Sequence, residues 1–128
     1  MSASTARKFE FKVVDIMEER EGRDVKVGTF DYAVQYRSIV TSPIPNQGIS
    51  ADDTIKAIEA LTPIKEGKAK KQGFALLDKD SYDFLISRLS THRFGVAHEV
   101  VSDFIKYLRD LPVVEMAPAE STKAPAGL

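Results

Sequence analysis

The chain has 128 residues, 43% of them hydrophobic, no cysteine, and 18 basic against 19 acidic side chains. That is one domain's worth of chain with enough apolar content for a core, and the missing cysteines exclude disulfides, thiolate chemistry and cysteine-held zinc or iron–sulfur centres. A formal net charge of −1 supplies no global field toward nucleic acid or anionic lipid, so electrostatic recognition has to come from a local patch.

Residues 1–8 lack the apolar stretch of a signal peptide and are expected to be disordered, and no later run approaches the roughly 18 apolar residues of a membrane span. The expectation is an intracellular, cytoplasmic protein with no membrane partner. Phe9, Phe11 and Val13 alternate with Glu10 and Lys12, and Val14-Asp15-Ile16 continues the alternation on the other face. This predicts a half-buried strand over Phe9–Met17. The charged stretch Glu18–Asp24, with Gly22, predicts a loop of more than two residues leading to a short antiparallel strand at Val25–Val27.

Thr29 is placed to cap a first helix with Tyr32, Ala33, Tyr36, Ile39 and Val40 on one face, ending by Ser42 because Pro43 and Pro45 cannot continue it. After the Pro43–Ile49 loop, Ser50 followed by Asp53 approximates a capping box for a second helix. Its predicted stripe is Ala51, Ile55, Ile58 and Leu61, with Pro63 closing it. Ile64–Gln72 is polar and rich in lysine and is expected to be a loop. Phe74–Leu77 is a candidate third strand. Asp80 or Ser81 then caps a third helix that buries Tyr82, Leu85, Ile86 and Leu89. The fourth helix has the most regular stripe, from Ala97 through Val100, Val101, Phe104, Ile105 and Leu108 to Leu111, which predicts a central position.

The fold class is therefore α+β: an N-terminal antiparallel β-hairpin, with a possible third short strand, packed against about four helices. Its boundaries are a single domain over residues 9–111 and a disordered, Ala/Pro-rich tail over residues 112–128.

The two last helices, joined through Thr91–Gly95, have the spacing of a helix-turn-helix. A recognition helix needs Arg, Lys, Asn or Gln early on its exposed face, whereas the outward positions here begin with His98, Glu99, Ser102 and Asp103. Helical packing is the better reading. Lys65, Lys68, Lys70 and Lys71 could neutralise several phosphates and make nucleic acid an alternative partner, although the segment has neither stacking aromatics nor the order of a P-loop. His92 and His98 lie six residues apart, which does not match the i, i+4 spacing of two metal ligands on one helix. Asp78-Lys79-Asp80 lacks the glycine of an EF-hand loop, and no serine sits in a Gly-x-Ser-x-Gly elbow. No catalytic, cofactor or metal residue is assigned, and a non-enzymatic role is expected.

Tyrosine carries contact area at low entropic cost, so Tyr32, Tyr36, Tyr82 and Tyr107 read either as a protein-binding surface or as the edge of the core. The first helix and the second compete for a small sheet. On that ground Tyr32, Tyr36, Ile39 and Val40 are expected to form a protein interface, and the chain to be a homo-oligomer.

Val25–Phe30, Leu77–Leu85 and Phe104–Leu108, in their order along a charged hairpin, a helix, a Pro/Gly loop and a capped helix pair, resemble small accessory or assembly proteins of tailed bacteriophages. The resemblance implies an accessory role in virion assembly or host interaction, in the host cytoplasm or the virion, and transfers no site residues.

Overall fold

The structure, a computed structural model, describes residues 4–44, 46–94 and 98–116. The order is β1 (Ser4–Glu10), β2 (Val13–Arg20), β3 (Arg23–Asp31), α1 (Tyr32–Thr41), α2 (Ala51–Ala69), β4 (Phe74–Leu77), α3 (Lys79–Leu89), α4 (Glu99–Arg109) and β5 (Val113–Met116). It is an α+β fold with antiparallel strands throughout, in two separate sheets. One has three strands in the order β4-β1-β5, and the other is the β2–β3 hairpin.

The strand expected over Phe9–Met17 is two strands. The change of face after Val13 marks where the chain leaves one sheet for the other. The Phe11 N–H still donates to the Gly73 carbonyl at 2.9 Å, extending the β1–β4 edge, but the Lys12 carbonyl accepts from the Tyr32 N–H at 2.8 Å. Residues 4–8, expected outside the domain, pair with β5 through Thr5↔Glu115 and Arg7↔Val113 and with β4 through Lys8↔Leu76. Val113–Met116 leaves the expected tail for the same reason: each strand supplies the other's hydrogen bonds, and neither has a local signal strong enough to show it. Residues 117–128 of that tail lie outside the described residues. The hairpin loop is shorter than expected. Glu21 and Gly22 both have positive φ, 52° and 77°, the conformation by which a two-residue turn matches the twist of its strands.

Helix starts follow side-chain caps. Ser50 Oγ accepts from the Asp53 N–H at 3.1 Å, as the capping pattern predicted. The first helix is capped by Asp31, whose carboxylate accepts from the N–H groups of Ala33 and Val34, while Thr29 remains in β3. Asp78, rather than Asp80 or Ser81, caps α3. Pro63 does not close α2, which runs on to Ala69. A proline in a helix interior costs about 3 kcal/mol, and here the turns on both sides are held down by buried Leu61, Ile64 and Gly67.

The buried face of α2 is Ala57, Ala60, Leu61, Ile64 and Gly67; Ile55 and Ile58 are 58% and 52% exposed. Small side chains let the helix approach β4 closely, and Gly67 lies against Phe11 and the Phe74 carbonyl. Packing of α2 on β4, α3 and α1, and of α1 on α3, makes the first three helices the centre. The expected central helix, α4, lies at the side and enters the core through Phe104 and Leu108, both 0% exposed. Its stripe is spent on aromatic contacts, not on covering the sheet. Phe104 is 4.7 Å from Tyr32 and 5.3 Å from Phe30, ring centre to ring centre, and Tyr107 is 5.3 Å from Tyr32. Phe9, 5.2 Å from Tyr36, carries the cluster under α1.

Candidate protein-interaction surface

The four residues expected at a protein interface are core residues. Tyr36, Ile39 and Val40 are fully buried and Tyr32 nearly so. The Tyr36 hydroxyl donates to the Ala60 carbonyl at 2.7 Å, and burial, with Asp78 adding to it, pushes its pKa well above the usual phenol range. The competition for the sheet resolves because the face of α1 packs on α2, α3 and the aromatic cluster as well as on strands. Tyr82 and Tyr107 are also structural. The Tyr82 hydroxyl donates to the carbonyls of Leu108 and Arg109, and the Tyr107 hydroxyl accepts the Glu10 N–H at 2.9 Å.

The exposed apolar surface is elsewhere. Every residue from Met17 to Val27 is exposed, so the outer half of the β2–β3 hairpin extends from the domain as an arm, about 15 Å long from the strand rise per residue. A bulge between Ile16 and Met17 marks where it leaves the body. Val14, opposite Phe30, and Ile16, opposite Gly28, face inward at its root. Met17, Val25 and Val27 are 42%, 37% and 39% exposed on the arm itself. Its charges lie beside them: Lys26 pairs with Asp15 at 3.3 Å and Arg20 with Glu18 at 3.2 Å. Such exposed pairs add little stability. Met17 shares its face with Lys26, its partner in the register, whereas Val25 stands opposite Glu18 on the other face, the one that borders α4.

Between that face and α4 is a groove of about 410 Å³, with Ile16, Val27 and Phe30 on one wall and Phe94, Val100 and Val101 on the other. Glu18, Gln35 and His98 stand at its polar margin. His98 fixes the geometry. Its Nδ1 accepts the Val100 N–H at 3.1 Å, capping α4, so its Nε2 carries the proton and donates to the Met17 carbonyl at 3.2 Å. One imidazole thereby ties the first turn of α4 to the root of the arm.

His92 lies in a different setting from His98. It packs edge-on to Phe94 at 4.6 Å, burial and the neighbouring Arg88 lower its pKa, and no cluster of three metal-binding side chains occurs among the described residues. Arg88, almost fully buried, joins α3 to Asp53 of α2 across 3.6 Å, with Nε and Nη2 lacking hydrogen-bond partners among the described residues. The lysines are divided by the continuation of α2. Lys65 and Lys68 are on the helix, Lys70 is its C-cap, and Lys71 follows with φ 54°. The groove was missed in the sequence, although the width of the α4 stripe was a signal for it: Val100 and Val101 are the part of that stripe the core does not fully cover. No described helix is long and apolar enough to cross a membrane. No family model matches the chain, and no curated protein or solved structure matches it.

Proposed function

We propose that this chain is a non-enzymatic assembly module that binds protein through the β2–β3 arm and the groove at its root. The observation that supports this reading is the exposed stretch Met17–Val27, which carries apolar side chains away from the body and borders a groove lined by Val100 and Val101. A groove walled by the arm itself suits a second copy of the chain. Two arms related by a two-fold axis would each cover the other's Val27 and Ile16, an isologous contact. An accessory role in virion assembly, as the phage resemblance implies, is a setting for such a contact.

Light scattering at micromolar concentration tests the reading. The expected mass is a multiple of the 14.2 kDa chain, falling to one chain in a Val27→Lys, Val101→Asp variant whose melting temperature is unchanged. A monomeric mass for the unaltered protein at all concentrations overturns self-assembly.

A further inference from the structure

At one end of the molecule three aromatic rings each lie beneath a lysine. Lys8 Nζ is 4.7 Å from the centre of Phe74, Lys12 Nζ is 4.8 Å from that of Tyr107, and Lys68 Nζ is 5.8 Å from that of Phe11. The end of β1, the start of β4 and the last turns of α2 meet here, because Gly67 has no side chain to keep the helix from Phe11 and from the strand. Lys65 and Arg37 line the adjoining cleft between α1 and α2. Lys70 and Lys71 are exposed on the turn that leads to β4.

Glu10 lies opposite Phe74 in the β1–β4 register, Glu66 is on the last turns of α2, and the Asp31 carboxylate is occupied by the N–H groups of α1. None of these lysines, nor Arg37, forms an ion pair among the described residues. A protein of net charge −1 thus gathers lysines free of close ion pairs among the described residues around partly exposed rings, with Glu10 opposite Phe74 as the neighbouring acid.

We infer that this end binds single-stranded nucleic acid, with the lysines on its phosphates and a base stacked on Phe74. Phosphate spacing suits a spread of separate ammonium groups, and every base offers a flat face. A lysine over an exposed ring is a displaceable cover, since base stacking is worth more than an exposed cation–π contact. An acidic peptide would satisfy the lysines and leave the rings without a role. The surface is separate from the arm, so the two readings stand or fall independently.

Fluorescence anisotropy with labelled oligo-dT, the matching duplex and poly-glutamate tests the inference on the full chain. The expected result is binding of oligo-dT at 50 mM salt in preference to both other probes, with log K falling against log salt at a slope of about −3, as four neutralised phosphates on a single strand require. Replacing Lys65, Lys68, Lys70 and Lys71 by Ser should weaken binding by about tenfold or more and flatten the slope toward zero. Phe74→Leu should weaken it about fivefold or more at an unchanged slope. If Phe74→Leu does not fold, the slope and the preference for oligo-dT over poly-glutamate decide the matter. No binding at 50 mM salt, or equal affinity for all three probes, overturns the inference.

Discussion

Replacing Gly67 by alanine tests how closely α2 lies on the sheet. In a helix interior this substitution ordinarily gains about 0.8–1 kcal/mol, because alanine loses less backbone freedom on folding. At Gly67 the added Cβ would fall within contact distance of the Phe74 carbonyl oxygen and 2.9 Å from Phe11 Cζ. The Phe11 ring can turn aside. The carbonyl belongs to β4, held in register by Glu10↔Phe74, so relief requires the helix or the strand to move. Overpacking costs about 1–3 kcal/mol, and against a fixed backbone atom the upper part of that range, about 2–3 kcal/mol, leaves a net loss of about 1–2 kcal/mol after the helical gain. For a domain of this size that lowers the melting temperature by roughly 3–10 °C. Thermal and urea unfolding measure it, with exposed Thr62→Ala on the same helix expected within about 0.5 kcal/mol of the unaltered protein. A rise in melting temperature for Gly67→Ala, as at an unconstrained helical glycine, would refute the close approach of α2 to β4.

Phe104→Ala should cost about 3–5 kcal/mol in urea unfolding, because it opens a hole between Phe30 and Tyr32; a loss below about 1 kcal/mol would remove Phe104 from the core. Ile55→Ser with Ile58→Ser, at exposed positions, should change stability by less than about 0.5 kcal/mol each, and a loss of several kcal/mol would restore them to the buried face. Arg88→Met should be neutral or stabilising, since methionine fills the space without two unpaired donors, whereas Asp53→Asn should cost on the order of 2–3 kcal/mol by leaving the buried guanidinium alone; equal losses would show that the pair is a net stabiliser. His92 titrates lower in the folded protein than its ordinary value of about 6.5, through burial first and Arg88 second. Below that value the unfolded chain takes up a proton that the folded one resists, so the stability present above about pH 6.5 declines as pH falls toward the lowered value. His92→Gln should flatten that part of the pH profile, and an unchanged slope would assign it to other groups.

The features legible in the sequence are those set within one or two turns of chain. Ser50 caps α2 through an N–H three residues on, and Pro43 lies just beyond the end of α1. The buried stripes of α1 and α3 read correctly in large part because their large apolar residues are also the ones that pack. In α2 they are not. Ile55 and Ile58 are more hydrophobic than Ala57, Ala60 and Gly67, but the space between α2 and β4 admits only small side chains, so steric fit overrides hydrophobicity and carries the helix past Pro63. Tyr32, Tyr36, Ile39 and Val40 were legible as an apolar face, yet whether a face meets its own chain or another depends on what lies across from it. The pairing of β1 with β5 joins the two ends of the domain and has no local trace. The lysines of the basic end could be named from sequence alone, whereas Phe11, Phe74 and Tyr107 come to them from three distant segments. Local propensity thus determined the four helix starts to within a few residues, the hairpin and the α+β class, but not β5 or the first half of β1. Only tertiary packing decided which faces are buried, which strands pair and which charges share a surface, because each of those depends on residues far apart in the chain.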